Sequence, residues 1–197
     1  MKVVIVRTGV ANLASVCAAL RRQGAEPVPT RDPDEVLQAD RVILPGVGAF
    51  GAAMQALEGG LDAALRARIA ADRPTLAVCV GLQVLCDASE ESPGVVGLGI
   101  VSGTVRRFPT TVTVPQLGWN RVTPTPGSRL AEGYVYFANS YRLSTLPDGF
   151  EGALADHGGP FVGALERGAL LACQFHPELS GAYGSALIGR WLSQPKK

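Results

Sequence analysis

The chain has 197 residues, 47% of them hydrophobic and 18% charged, which suits one fully cored domain of ordinary soluble composition. Its 18 basic and 17 acidic residues nearly cancel, and no basic run exceeds the pairs Arg21-Arg22, Arg106-Arg107 and Lys196-Lys197, which argues against a nucleic-acid partner. Arg7 interrupts the opening Met-Lys-Val-Val-Ile-Val short of signal-peptide length, and no apolar run approaches the ~20 residues that cross a bilayer, so a cytosolic chain with reduced cysteines and no membrane contact is expected.

In chain order, the first element is a strand at Val3 to Val6, followed by a helical pattern from Asn12 to Gln23 that Gly24 stops. Asp32-Pro33 reads as a helix start, with the acid as N-cap and proline at the first helical position. A strand at Val42 to Leu44, a helix at Leu61 to Ala71 and a strand at Leu76 to Cys79 complete an alternation that predicts an open, mostly parallel sheet with helices on both faces. Beyond Ile100 the segments Thr111 to Val114, Tyr134 to Phe137, Phe161 to Leu165 and Leu170 to Phe175, separated by Gly/Pro-rich turns, predict an antiparallel extension of the same sheet. The last stretch, Ser180 to Leu192, carries Ala186, Leu187 and Trp191 at helical spacing and is expected to pack back on the sheet. No repeat or linker divides the chain, so residues 1–197 read as a single domain.

Four cysteines are present, Cys17, Cys79, Cys86 and Cys173, with no C-x-x-C pair, and the only histidines are His157 and His176. That spacing calls for no metal and no cofactor, and leaves each cysteine, taken alone, as a small buried hydrophobe. Cys79 differs by its setting. Pro74-Thr-Leu-Ala-Val-Cys79-Val-Gly81-Leu-Gln83 is a buried strand entering a helix through a turn with glycine two residues on, the layout of a nucleophile elbow. The sulfur is then exposed above the carboxyl edge of the sheet, at a helix N-terminus that favours a thiolate and offers the Val80 N–H to an oxyanion. A thiol needs a partner to become a nucleophile at neutral pH. His176, in Gln174-Phe-His176-Pro-Glu178, stands directly after an apolar run, and Glu178 is close enough to hold its other nitrogen. His157, in Asp156-His-Gly-Gly-Pro160, looks like a loop residue. The glycine turn Leu44-Pro-Gly46-Val47-Gly48-Ala-Phe-Gly51 lacks the endings of a phosphate cradle; it is either a tight strand-to-helix turn or a set of N–H groups for an oxyanion.

With these residues in hand, the chain resembles the class I (triad) glutamine amidotransferases over essentially its whole length. Cys79-Val-Gly81-Leu-Gln83 is similar to that family's nucleophile motif and His176-Pro177-Glu178 to its second motif. Within the family, Gly9-Val-Ala-Asn12-Leu13, Pro45 to Gly51, Glu91 to Gly99 and Pro115-Gln-Leu-Gly-Trp119-Asn120 resemble the glutaminase subunits of imidazole glycerol phosphate synthases, and Phe137 to Arg142 resembles the loop that contacts glutamine. The resemblance implies a flavodoxin-like fold. It also implies that Cys79 forms a glutamyl thioester, His176 shuttles the proton and Glu178 orients His176. Val80 N–H and a peptide of Gly46-Val47-Gly48 would form the oxyanion hole, with the second donor needing reorientation, and Gln83, Ser140 and Tyr141 would hold glutamine.

The ammonia would enter a (β/α)8-barrel cyclase subunit, with Asn12, Trp119 and Asn120 facing that partner. Ala77 and Ala11 stand where the family often has glycine, and Asn139 where it commonly has histidine. Leu179 stands where the subfamily commonly has a lysine that pairs with an acid on the cyclase. Two other readings are a glutaminase of pyridoxal phosphate or anthranilate synthesis, against which Gly-Trp-Asn argues, and a catalytically silent flavodoxin-like binding subunit, against which the intact triad counts.

Overall fold

Short β-branched runs punctuated by glycine and proline build the sheet. The computed structural model describes residues 1–9 and 12–195; Val10, Ala11, Lys196 and Lys197 lie outside the described residues. Strands β1 (Lys2–Val6), β2 (Glu26–Thr30), β3 (Val42–Gly46) and β4 (Thr75–Cys79) alternate with helices α1 (Leu13–Arg22), α2 (Pro33–Gln38), α3 (Phe50–Ala56) and α4 (Leu61–Ala70). After α5 (Val80–Leu85) come β5 (Cys86–Ser89), β6 (Val101–Arg107), β7 (Gln116–Pro124), β8 (Gly133–Asn139), β9 (Tyr141–Arg142), β10 (Glu151–Asp156), β11 (Pro160–Arg167) and β12 (Leu170–Cys173). A 3-10 turn, Pro177–Leu179, and α6 (Gly181–Leu192) follow.

The main sheet has the order β2-β1-β3-β4-β12-β11-β10-β7-β8. Its first five strands are parallel and the rest antiparallel, the open parallel sheet with an antiparallel extension that the sequence predicts. A small second sheet joins β5, β6 and β9. Central strands β3 and β4 are buried at every residue, as parallel strands covered on both faces must be. Helices α1 and α6 share one face, where Val16, Leu20 and Ile188 meet Ile43, Leu76 and Val78. Asn12 and Asp32 cap α1 and α2 with their side chains, and Pro33 opens α2. Among the described residues no helix is long and apolar enough to cross a membrane.

Helix α3 and strands β6, β7 and β10 add to the elements that the sequence predicts, and three further departures have a clear physical cause. Edge strand β2, Glu-Pro-Val-Pro-Thr, escaped it because Pro27 and Pro29 look like breakers; β2 pairs only with β1, so its outer side needs no N–H donors. Thr111 to Val114 is a turn, not a strand: Val112 N–H bonds Pro109 O, and Pro109 and Pro115 remove ladder donors on either side. In α6 the buried stripe is Leu187, Ile188, Trp191 and Leu192, while Ala186 faces outward.

The strand-to-helix turn after β4 positions everything that follows. Cys79 adopts φ 54° and ψ −111°, a conformation that side-chain-bearing residues avoid and that surrounding packing must enforce. Two glycines allow that packing. A Cβ on Gly81 would lie 2.1 Å from Leu44 O, and one on Gly46 would lie 2.7 Å from Gly81 N. The backbones of β3 and α5 therefore touch directly. Gly81→Ala is expected to cost about 3 kcal/mol of stability, the upper range of overpacking, measurable by denaturant unfolding.

Candidate active site

Cys79 ends β4, which lies between β3 and β12 in the parallel half, and α5 begins at the next residue, so Val80 presents its N–H beside the sulfur. Strand β12 runs parallel to β4, with Cys173 opposite Val78, and its continuation leaves the sheet at the same edge. There the backbone is pinned: Gln174 N–H bonds Gly163 O at 2.8 Å and His176 N–H bonds Tyr136 O at 2.9 Å. Ser180, itself buried, donates its hydroxyl to His176 O at 2.7 Å and accepts Tyr136 N–H at 3.0 Å, clamping the turn to β8. Pro177 starts the 3-10 turn, which folds Glu178 back so that Oε1 lies 2.8 Å from His176 Nδ1. Both side chains are buried, at 7% and 4% exposure. With Nδ1 taken, Nε2 is the ring nitrogen left for the thiol.

A cavity of about 250 Å³ opens over this edge. Val47, Gly48, Cys79, Val80 and His176 line it together with Gln83, Ser140 and Tyr141. Gly46 is not on the wall; it lies in β3 opposite Cys79, where its missing side chain admits Val80. Glu178 stands behind the imidazole and borders a separate hollow of about 380 Å³ between α1 and α6. A larger surface hollow, about 410 Å³ beside α3 and Val95-Val96, holds none of these side chains.

Two residues at the site have no signal in the sequence, one on the cavity wall and one buried behind the sulfur. Glu91 lines the cavity and its Oε2 accepts Phe50 N–H at 2.7 Å, supplying the cap that Ala49 cannot give α3. Gln174, fully buried, brings Nε2 to 3.6 Å from Cys79 Sγ. Glu91 belongs to a segment that carries the family resemblance, and Gln174 stands two residues before His176. Neither had a periodic signal.

The chain matches the family described as glutamine amidotransferase class-I over residues 8–190. The imidazole glycerol phosphate synthase subunit HisH of Symbiobacterium thermophilum is 41% identical, over 96% of this chain and 92% of its own. The subunit of the same name from Escherichia coli K12 is 43% identical over 98% and 99%. This chain belongs to the class-I glutamine amidotransferases. Within that family it groups with the HisH subunits. A crystal structure titled as a glutamine amidotransferase superposes with TM-score 0.73 at 22% identity, over 96% of both chains, which shows a shared fold.

The remaining candidates of this amidotransferase lie apart from the cavity. Asn12 is exposed and caps α1 by accepting Ser15 N–H at 3.3 Å. Trp119 is 58% exposed on the outer face of the β7–β8 ribbon, edge-on to Tyr136 and near Leu117 and Tyr134, which are 69% and 64% exposed. Asn120 is the odd one. Its side chain donates to Asp156 O at 2.8 Å and is committed to β10. His157 donates from Nε2 to Thr113 O at 2.8 Å and packs edge-on to Phe108, in the β10–β11 hairpin. Cys17, Cys86 and Cys173 are buried and unpaired. Burial, assisted by Asp87, pushes the Cys86 thiol up to about 12, and burial, assisted by Glu178, raises that of Cys173 as well, which leaves both inert.

For His176, burial pulls the imidazolium pKa down, but the hydrogen bonds to Cys79 and Glu178 and their charges outweigh it, and the pKa rises to about 10. Because the folded pKa lies above the ordinary value, whatever depends on the imidazolium persists through neutrality and is lost as pH rises through about 10. Glu178→Gln removes one of the two raising partners. It is expected to move the alkaline limb of the glutaminase kcat/KM profile to lower pH, read from initial rates across a buffer series.

Proposed function

We propose that this amidotransferase is the glutaminase subunit of an imidazole glycerol phosphate synthase in histidine biosynthesis, folded as one domain over residues 1–197. The observation that carries the reading is the elbow cysteine and an imidazole on the wall of one cavity, with the far nitrogen of that imidazole held from behind by Glu178. In this reading the Cys79 thiolate attacks the side-chain amide carbon of glutamine, and the C–N bond breaks as His176 gives its proton to the departing ammonia. The neutral imidazole then takes a proton from water. The hydroxide formed attacks the thioester, expelling the thiolate and leaving glutamate.

The negative oxygen of each tetrahedral intermediate needs two donors. Val80 N–H is one, at the first residue of α5. A peptide of the Val47-Gly48 wall supplies the other after reorientation, which makes the isolated subunit a weak glutaminase. Gln83, Ser140 and Tyr141 contact the substrate, and the Glu91 carboxylate on the cavity wall suits its ammonium group. No cofactor takes part.

The ammonia passes to a (β/α)8-barrel cyclase, which makes imidazole glycerol phosphate and aminoimidazole carboxamide ribonucleotide. The names of the 41–43% identical HisH relatives support this assignment. The surface that suits such a partner is the exposed apolar face of Leu117, Trp119 and Tyr134, continued by Leu179 at 40% exposure. Trp119 stands 3.7 Å from where a Cβ on Gly181 would be, which joins that face to the His-Pro-Glu turn. Asn12, at the start of α1, adds a polar rim. The reading places the protein in the cytoplasm, where four unpaired cysteines stay reduced.

Two measurements test this. Cys79→Ala is expected to abolish glutamine-dependent synthesis by the assembled complex and to spare ammonia-dependent synthesis; equal loss of both overturns the assignment. Adding the cyclase with its ligand is expected to raise glutamine hydrolysis by ~10²–10³-fold, the worth of one oxyanion donor. Full activity of the isolated chain refutes the reorientation.

A further inference from the structure

We propose that Gln174 is a further catalytic residue: its side-chain amide donates a hydrogen bond to the Cys79 sulfur and holds it as the attacking and leaving thiolate. This rests on the reading of Cys79 as the nucleophile. Gln174 follows β12 directly, is 0% exposed, and has its backbone fixed to Gly163. Its Nε2 lies 3.6 Å from Cys79 Sγ, a hydrogen-bonding distance for sulfur, and its Oε1 lies 3.1 Å from Gln83 Nε2.

The direction of that contact follows from its neighbours. A backbone carbonyl only accepts, so the Gln83 group lying 3.2 Å from Tyr141 O must be its NH2. That NH2 has a second hydrogen, which points to Gln174. The atom of Gln174 facing Gln83 is therefore the oxygen, and the atom facing sulfur is the NH2. Asn139 Nδ2, 3.0 Å from the same Tyr141 carbonyl, reinforces the chain. An amide NH2 with no exposure has no water to turn to, so the sulfur is its acceptor, and a thiolate accepts far better than a thiol.

Gln174 thus acts where His176 cannot. The imidazolium hands its proton to ammonia, whereas the amide keeps its hydrogens through both halves of the reaction. It is present when the thiolate attacks and again when the thioester expels it. The amide chain also links the sulfur to Gln83 and Tyr141 on the substrate wall, so the donor is held by the residues that would contact glutamine.

The test is the pH dependence of Cys79 alkylation by iodoacetamide in the full chain, with Cys79→Ala as the blank for the three buried cysteines. Gln174→Met keeps length and loses the donor. It is expected to move the half-maximal pH up by about one unit, the tenfold loss of thiolate that removing one charge-assisted bond implies. Glutamine-dependent kcat should fall by about tenfold, with ammonia-dependent synthesis of the complex unchanged. An unshifted alkylation profile in a folded Gln174→Met overturns the proposal. Should that variant not fold, Gln174→Asn, which withdraws the NH2 by one methylene, is read the same way, and misfolding of both makes Gln174 structural and also overturns it. Retention of full glutamine-dependent activity by Cys79→Ala would instead remove the underlying reading.

Discussion

The parallel pairing of β4 with β12 is the constraint from which the site follows. Thr75 pairs with Leu170 and Val78 with Cys173, two segments far apart in the chain. Because the strands run the same way, both leave the sheet at one edge, where Cys79 and His176 follow. Had β12 run antiparallel, its end would sit at the opposite edge, about 13 Å away for a four-residue strand, and the imidazole could not reach the sulfur. The antiparallel half continues from this pair. Strand β11 ties β12 through Gly163, and β8 receives the His-Pro-Glu turn through Tyr136 and Ser180.

Much of the chemistry sits in short local patterns, which is why it could be read from the chain. The strand-to-helix turn at Cys79 and the His-Pro-Glu turn are each set within a few residues by glycine, proline and a carboxylate. The caps at Asn12 and Asp32 are equally local. What stayed hidden depends on partners distant in sequence. Pro27 and Pro29 suit β2 only because that strand is an edge, a fact decided by the whole sheet. Thr111 to Val114 has strand-forming residues but no neighbour to pair with. Gln174, Glu91 and Ser180 are polar residues whose roles come from register between distant elements, and an exposed glutamine or serine would look the same in the sequence.

The same logic governs the buried polar groups away from the site. Arg68 is fully buried in α4 and donates to Val36 O, Ala39 O, Pro74 O and Thr75 Oγ1 at 2.6, 3.1, 2.9 and 3.0 Å, tying α2 and α4 to the start of β4. Its pKa is lowered to about 10, by burial first and by Arg73 second, which leaves it charged at neutral pH. The cation fixes one end of β4 as the glycine contacts of Gly46 and Gly81 fix the other. A strand held at both ends can carry a strained residue at its tip.

That strained residue has a consequence for how the protein can change over generations. Holding a cysteine at φ 54° costs of order 1–3 kcal/mol, a sizeable share of the ~5–15 kcal/mol by which domains are stable. Glycine at position 79 would relieve that strain, so the substitution that most eases the backbone there is one that deletes the thiol. Robustness gained at the elbow comes at the expense of chemistry, and lineages that keep the thiol must find their stability elsewhere in the sheet.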